Sequence, residues 1–399
     1  MTGLSDTFRT GVRSSDGRWP APPATWSYSS LREVEQCPRR WMLSRATYSD
    51  LWSGWGYPPR PAVAAMVGDI VHAVLELLVR RLRESGCTSL ADPGAVGLLK
   101  ELGGYTRLVK DGIEHRLGDL AGNPRAADRI GPLRTELLAR SPDMRQRIQA
   151  LVARNPYLLA PRTHAVNLGS TSRLTYGAHP EIEVRALTLR LAGRVDLLVI
   201  GEEVCEITDY KTGEPDDHHA DQLRLYSLIW SRDEEHNPRG LPVRRLTLSY
   251  PTHDVDVAPL DTPSLNALAV TTTKAIEAAE CALQERPPPA FPQAEICGCC
   301  GVRQLCDDYW ESRRYSAASP DDRFDFEGTV VKRNGSRSWL LAATAEPVLL
   351  LRMPSETVPF EIGDRLRFLN LRRVEDEEVV LPVAVFTSAS EMFSLTDAG

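Results

Sequence analysis

Hydrophobic positions in the first half of the chain follow a helical period. Over residues 62–84 an apolar residue recurs every three or four positions, which predicts an amphipathic helix. The apolar positions are Val63, Met66, Val67, Ile70, Val71, Val74, Leu75 and Leu78. Asp69, His72 and Glu76 share a separate polar stripe, because they lie three and four residues apart.

The segments around this helix predict further helices and a loose terminus. Ser29 precedes a helical pattern and provides an N-cap signal, so a helix is predicted from there through Cys37 and Trp41. Residues 90–160 also have helical spacing and are rich in arginine. Residues 1–25 are polar and proline-rich, which is typical of a flexible tail.

The hydrophobic period changes to two near residue 180. Residues 181–185 alternate, and residues 188–200 read as a strand. A second strand is predicted at 204–211, and the short turn between the two predicts a hairpin. The next predicted elements are a helix at 219–232, a strand at 244–250 and a helix at 263–285.

The last part of the chain, residues 322–399, has the pattern of short strands. Examples are residues 328–331, 348–351 and 365–369. Because these runs follow a Ser/Ala/Pro segment at 316–320, which resembles a linker, they predict a separate small barrel or sandwich.

Composition limits the class of protein. The chain has 399 residues, 42% of them hydrophobic and 25% charged, which is typical of a globular protein with two or three domains. No apolar run reaches the roughly 18 residues of a membrane span, and the N-terminus lacks the pattern of a signal peptide, which predicts a cytoplasmic protein without a membrane. The net charge of −7 argues against nonspecific coating of duplex DNA, but it is compatible with a local basic channel and metal-binding carboxylates.

Two carboxylates and a lysine are predicted to converge in the hairpin. Asp209 and Lys211 share a face of their strand because they are two residues apart, and Asp196 lies on the preceding strand. Two such carboxylates can hold Mg²⁺ or Mn²⁺, and the lysine can orient a water or offset developing charge. The alternative is a surface hairpin with an ordinary Asp209–Lys211 salt bridge.

Three further polar residues are candidates, each with a simpler structural interpretation. His72 lies on the polar stripe of its helix, where a lone histidine is more often structural than a ligand. Gln222 and Tyr226 lie four residues apart on one helical face, which is also what a half-exposed amphipathic helix would give.

A cluster of cysteines points to a second metal site. Cys297, Cys300 and Cys306 have the spacing C-x2-C-x5-C, and Cys37 is the candidate fourth ligand. Sulfur-only ligation suits zinc or an iron–sulfur cluster, and the spacing does not choose between them. The remaining thiols at Cys87, Cys205 and Cys281 have the pattern of ordinary buried cysteines.

In order along the chain, these motifs resemble the RecB-like branch of the PD-(D/E)XK nucleases. The matching motifs are Gly68-x3-His72, Gly193-x2-Asp196, Asp209-Tyr210-Lys211-Thr212-Gly213 and Gln222-x3-Tyr226, and the resemblance covers about Ser27 to Trp310. It implies an α/β fold with a mixed central sheet flanked by helices, and metal-dependent hydrolysis of phosphodiesters.

The resemblance also implies roles for these residues. Asp196, Asp209 and His72 would be the metal ligands, and Lys211 would be the catalytic lysine. Glu183 falls where such nucleases often have another acidic residue. Gln222 and Tyr226 would contact DNA or support the site.

One cysteine before the nuclease core and three after it resemble the iron staple of AddB-type and CRISPR-associated RecB-like nucleases. This resemblance implies a [4Fe–4S] cluster. Its ligands would be Cys37, Cys297, Cys300 and Cys306, with Cys299 as the alternative to Cys300.

The resemblance implies a nuclease domain over residues 26–315. The chain departs from such nucleases by a helical insert at about 86–175 and by residues 322–399, whose strand pattern resembles a small OB-like barrel. Such barrels often bind single strands. The candidate contacts are Arg365, Arg367, Phe368, Arg372 and Arg373, and the alternative is a barrel that only docks against protein.

These features together predict a DNA exonuclease of recombination, repair or antiviral defence, acting on single strands or duplex ends. The alternative is a non-catalytic or partner-dependent DNA-binding subunit. Since the chain has no P-loop, any helicase or other defence-complex partner would be a separate protein.

Overall fold

The computed structural model describes residues 19–87, 92–154, 176–313, 323–343 and 348–395, together with Leu90 and Leu174. Most of the predicted tail and the predicted linker at 316–320 lie outside these residues. The described helices are α1 (Tyr28–Gln36), α2 (Pro38–Arg45), α3 (Val63–Glu84), α4 (Pro93–Glu101), α5 (Gly104–Gly118), α6 (Ile130–Ala139), α7 (Ser141–Arg154), α8 (Asp217–Ser231), α9 (Thr262–Gln284), α10 (Ala294–Gly298) and α11 (Asp307–Arg313).

The strands form two sheets. They are β1 (Gly177–Ala186), β2 (Leu191–Ile200), β3 (Cys205–Tyr210), β4 (Val243–Ser249), β5 (Asp254–Val257), β6 (Arg323–Arg333), β7 (Ser338–Ala342), β8 (Leu349–Arg352), β9 (Arg365–Val374), β10 (Val383–Val385) and β11 (Glu391–Ser394). The first sheet has the order β1-β2-β3-β4-β5 and is mixed, because β3 and β4 are parallel and the other neighbours are antiparallel.

Helices cover both faces of this sheet, as predicted. One core contains the apolar faces of α1, α2, α8 and α9, and the other contains those of α3, α5, α6 and α7. The described part of the predicted insert is helical, and Arg147 of α7 donates a hydrogen bond to the carbonyl of Thr212 just after β3. The insert therefore reaches the end of the predicted hairpin.

The predicted helix through Cys37 is wrong, because the chain breaks there into α1 and α2. Cys37 has extended backbone angles, φ −168° and ψ 103°. The cause is Pro38, since a proline disfavours helical geometry in the residue before it. Ser27, rather than Ser29, is the N-cap of α1.

The C-terminal sheet closes into a barrel. Five strands pair in the order β6-β7-β8-β10-β9 and back to β6, and β8 and β10 are parallel. The sixth strand, β11, pairs with β9 beside β10. Alternate residues of these strands fill the interior, where Phe326, Trp339 and Phe368 are buried.

Two of the five candidate residues for a single-strand groove, Arg367 and Phe368, are buried, whereas Arg365, Arg372 and Arg373 are exposed. Phe368 is completely buried in the barrel core, and Arg367 is 5% exposed. Arg367 faces the segment that precedes the barrel, where it pairs with Asp307 and donates to the carbonyl of Gln304. These two side chains therefore hold the structure together and do not line an open groove.

No helix among the described residues is long and apolar enough to cross a membrane.

Candidate active site and cysteine site

Three acidic residues form a row across the first sheet. The register of neighbouring pairs places Glu181 of β1 opposite Asp196 of β2, and Asp196 opposite Asp209 of β3. The backbone N–H of Tyr210 donates a hydrogen bond of 2.6 Å to Asp196 Oδ2. This bond fixes the orientation of the central carboxylate and leaves Oδ1 for other partners.

The row lies at an irregularity of β1 and β2, where the side chains do not alternate regularly between the two faces of the sheet. Val195 packs in the core beneath α8, Leu197 in the opposite core, and Leu198 in the first core again. A regular strand would place Val195 and Leu197 on the same face. On β1, Glu181 has a left-handed φ of 51°, which is uncommon for a residue with a side chain. The irregularity turns Glu181 and Asp196 towards α3.

His72 of α3 meets these two carboxylates. Its Nδ1 lies 3.6 Å from Asp196 Oδ1 and 3.7 Å from Glu181 Oε1, and one ligand atom of each residue lies within 4.8 Å of the others. Burial lowers the pKa of His72, but hydrogen bonds with Asp196 and Glu181 outweigh it and raise the pKa to about 10. One imidazole nitrogen and two carboxylate oxygens form a donor set that fits a divalent cation such as Mn²⁺ or Mg²⁺.

A chain of contacts leads from Asp209 to α8. Lys211 Nζ lies 2.5 Å from Asp209 Oδ2 and donates a hydrogen bond of 2.8 Å to Gln222 Oε1. Gln222 Nε2 in turn donates to the hydroxyl of Tyr226 at 2.7 Å. Gln222 and Tyr226 therefore hold the lysine in place.

Asp209 is 2% exposed, so the interpretation as an ordinary surface salt bridge does not describe it. Burial raises the pKa of Asp209 to about 7, and the negative charge of Asp196 adds to the effect, whereas Lys211 opposes it. A buried carboxylate beside another carboxylate and a lysine is the kind of arrangement that occurs at functional sites.

Two glycines of the predicted motifs allow close packing around this site. A Cβ atom on Gly193 would lie 2.7 Å from the ring of Tyr226, so only glycine lets α8 approach β2 there. A Cβ atom on Gly68 would lie 3.2 Å from Thr212 Oγ1, where α3 passes the end of β3. The glycines thus explain the spacing of the motifs in physical terms.

The model of the PD-(D/E)XK nuclease superfamily matches residues 25–307. The chain belongs to this superfamily. The match ends before the described barrel begins at Arg323, so the superfamily accounts for the first sheet and its helices but not for the barrel.

Other comparisons add nothing to this assignment. No curated protein matches the chain. The crystal structure of SSO0001 is 19% identical, with a TM-score of 0.20, and the similarity covers 32% of this nuclease and 59% of SSO0001. The structure of a murine DNA binding protein bound with ds DNA is 10% identical, with a TM-score of 0.17, and the coverage is 56% and 94%. Both similarities are too low to define a fold or a function.

Within this nuclease, Glu181 takes the position expected of Glu183. Glu183 is exposed and accepts hydrogen bonds from Arg185 at 3.0 and 2.9 Å, away from His72. Glu181 was not identified because regular alternation gives both residues the same face. The adjacent pair Leu197 and Leu198 gives no warning of the irregularity, because a sheet covered on both faces buries successive residues in its two opposite cores.

The four cysteines singled out by spacing line one cavity of about 340 Å³, which includes some open solvent. Cys37 lies between α1 and α2, and the other three belong to the segment 297–306. Cys299 does not line the cavity, and its exposed thiol faces the carbonyls of Glu295 and Ile296.

The chemistry of this cavity suits a metal centre. Burial raises the pKa of Cys300 to about 11 and that of Cys306 to about 12, so these thiols need a cation to become thiolates. Arg39 and Arg40 also line the cavity and can balance negative charge. Tetrahedral zinc at 2.3 Å would bring sulfurs within about 3.8 Å of one another. Among the described cysteines, no three sulfurs lie within 4.8 Å of one another.

Proposed function

We propose that the chain is a metal-dependent DNA nuclease that hydrolyses phosphodiester bonds in single strands or at duplex ends. The observation that carries this proposal is the placement of Asp209 and Lys211 beside the group formed by His72, Glu181 and Asp196. Membership of the superfamily supports hydrolysis of a nucleic acid. Exonuclease action and a role in repair, recombination or antiviral defence belong to the same proposal.

In this proposal His72, Glu181, Asp196 and Asp209 would hold Mg²⁺ or Mn²⁺. The cation supplies Lewis acidity towards a phosphate oxygen and lowers the pKa of a water. Lys211 orients the attacking water or stabilises charge on the phosphate, because its ammonium is fixed by Asp209 and Gln222. Tyr226 holds Gln222 and therefore acts through the lysine rather than on DNA.

The decisive experiment compares cleavage of linear and circular DNA, single- and double-stranded, in Mn²⁺ or Mg²⁺. Asp209→Asn and Lys211→Ala should abolish cleavage, while Glu183→Gln, an exposed change on β1, should leave it unchanged. Cleavage of the linear substrates but not of the circular ones would identify an exonuclease. Folded wild-type protein that cleaves none of them would contradict the proposal and favour a partner-dependent DNA-binding subunit.

We further propose that Cys37, Cys297, Cys300 and Cys306 hold a [4Fe–4S] cluster, with zinc as the alternative. The cavity that all four cysteines line supports a sulfur-ligated centre, and the resemblance to AddB-type nucleases favours the cluster over zinc. Iron, sulfide and zinc analysis of anaerobically purified protein tests this. Stoichiometric zinc without iron would contradict it.

For the remainder of the chain we propose a nuclease domain over residues 26–315 and a barrel of OB type over 322–399. The closed order of five strands with β8 and β10 parallel supports the second assignment. The cytoplasm is the proposed compartment, because thiolate ligands need a reducing environment. A separate helicase or defence-complex subunit remains a proposed partner.

A further inference from the structure

The segment that carries three of the four cysteines, residues 297–306, lies against the C-terminal barrel. We call it the cysteine loop. Cys300 and Cys306 belong to the same apolar cluster as Leu369 of β9 and Phe393 of β11. The cysteine loop therefore lies between the cavity and the barrel and contacts both.

The backbone of the cysteine loop is held by buried arginines. Three of its carbonyls each accept a hydrogen bond from a guanidinium group. The pairs are Arg303 to Cys300 at 3.2 Å, Arg125 to Gly301 at 2.7 Å and Arg367 to Gln304 at 2.7 Å. Because the three arginines come from the loop itself, from the helical insert and from the barrel, the loop is fixed from three directions.

Each of these arginines also pairs with a carboxylate of the barrel. The pairs are Arg303 with Asp325 at 2.7 Å, Arg125 with Glu391 at 2.9 Å and Arg367 with Glu327 at 2.7 Å. The arginines are at most 8% exposed. Undocking of the barrel would therefore remove the carboxylate partners that hold Arg303 and Arg125 against the loop.

The loop has little regular structure of its own to maintain this arrangement. It contains the end of the five-residue helix α10 and a three-residue turn at 303–305. Segments with few internal hydrogen bonds open at low free energy unless other contacts hold them. Its conformation therefore depends on the occupant of the cavity on one side and the barrel on the other.

We infer that the metal-filled cysteine loop is the docking surface for the C-terminal barrel, so that loss of the metal centre releases the barrel. This inference rests on the proposed metal centre. Coupling between two sites is reciprocal. Weakening the barrel interface must therefore also loosen the hold on the metal.

Hydrogen exchange tests the first direction without DNA or Mn²⁺. Anaerobic protein is first reconstituted with iron and sulfide, or with zinc, and then stripped by a chelator under reducing conditions. We expect exchange in the barrel peptide 387–395 to rise on the order of tenfold on stripping, with β4 unchanged. Unchanged exchange in the barrel peptide, or an equal rise in β4, would overturn the inference.

A matched pair of variants tests the other direction. Glu391→Gln removes the charge that pairs with Arg125, whereas Glu356→Gln changes an exposed glutamate of the barrel. Glu391→Gln should lose its metal to a chelator on the order of tenfold faster than wild type, and Glu356→Gln at the wild-type rate. Equal rates in all three proteins would contradict the coupling.

The outcomes separate this inference from the proposed nuclease. A protein that takes up neither iron nor zinc at the cysteines overturns the metal centre and the docking together, while DNA cleavage is measured independently. Metal uptake that leaves hydrogen exchange in the barrel unchanged overturns the docking alone.

Discussion

Gln222 accepts a hydrogen bond of 2.8 Å from the ammonium group of Lys211. Its side chain joins the lysine just after β3 to the hydroxyl of Tyr226 on α8. The position of the lysine therefore depends on a helix that does not itself carry a metal ligand.

Removal of Gln222 should slow catalysis more than it weakens substrate binding. Gln222→Ala removes the amide oxygen that accepts from Lys211, so that only Asp209 still holds the ammonium group. Small displacements of a catalytic group lower the rate about 10²-fold. Single-turnover cleavage in saturating Mn²⁺ measures this effect. Tyr226→Phe keeps the ring and should have a smaller effect, whereas equal losses in both variants would indicate that the hydroxyl contacts DNA.

Glu181 and Glu183 provide a matched test of the metal site. Both are on β1, but Glu181 approaches His72 and Glu183 pairs with Arg185. Glu181→Gln should weaken Mn²⁺ binding at least about tenfold, since even partners that only orient ligands contribute that much. Titration by electron paramagnetic resonance measures it. Glu183→Gln should bind Mn²⁺ like the wild type, and the reverse result would reassign the ligand.

Gly193 should tolerate no side chain. An added Cβ would lie 2.7 Å from Tyr226, so Gly193→Ala forces α8 away from β2. Such overpacking costs about 1–3 kcal/mol of unfolding free energy, measured by urea denaturation. Gly213→Ala, which has no heavy atom within 4 Å of the added Cβ, is the control. Equal stability of the two variants would show that α8 can move freely.

Cys300 and Cys299 are adjacent in sequence but should differ in effect. Cys300→Ser should lower both the bound metal and the melting temperature, because the centre joins parts of the chain roughly 260 residues apart. Cys37→Ala should do the same. Cys299→Ser changes an exposed thiol outside the cavity and should do neither. An unchanged melting temperature in Cys37→Ala would refute the proposed metal link between Cys37 and the other three cysteines.

The buried pair of Glu391 and Arg125 should make stability depend on pH. Burial by itself would raise the pKa of Glu391, but Arg125 and Arg60 hold the pKa below its ordinary value of 4.5. The charge therefore stabilises the fold above about pH 4.5, and this contribution disappears as the pH falls through the lowered pKa.

Glu391→Gln isolates this contribution. At neutral pH the variant should lose about 3–5 kcal/mol relative to wild type, because the charge of Arg125 stays buried without the carboxylate that balances it. Thermal unfolding between pH 3 and 7, a range set by the pKa of a carboxylate, should show the difference shrink towards acid. A difference that stays constant with pH would mean that folding does not lower the pKa of Glu391, which would contradict this prediction.

Local patterns in the sequence predicted the parts of the fold that depend on local periodicity. The helix α3 and the hairpin of β2 and β3 are confirmed. Asp209 and Lys211 approach each other because alternation continues through the end of β3. These features need no knowledge of distant residues. The mixed sheet between helices is also confirmed, but the family resemblance implied it and local periodicity did not.

The features that alternation and helical spacing did not predict arise from irregular backbone positions or from packing between separate parts of the chain. Glu181 approaches His72 because β1 has a left-handed residue there, which alternation does not reveal. The break at Cys37 follows from Pro38, a local signal that the helical spacing concealed. Arg367 and Phe368 have the composition of a nucleic-acid groove, but Phe368 is buried in the core of the barrel and Arg367 is buried against the segment that precedes it.

The separation of Arg125 and Glu391 along the chain has a consequence for synthesis. The two residues are 266 positions apart, and Arg125 leaves the ribosome long before its carboxylate. Until β11 is made, the side chain of Arg125 lacks its carboxylate partner and stays in contact with water. The interface between the barrel and the rest of the chain can therefore close only after β11 has left the ribosome.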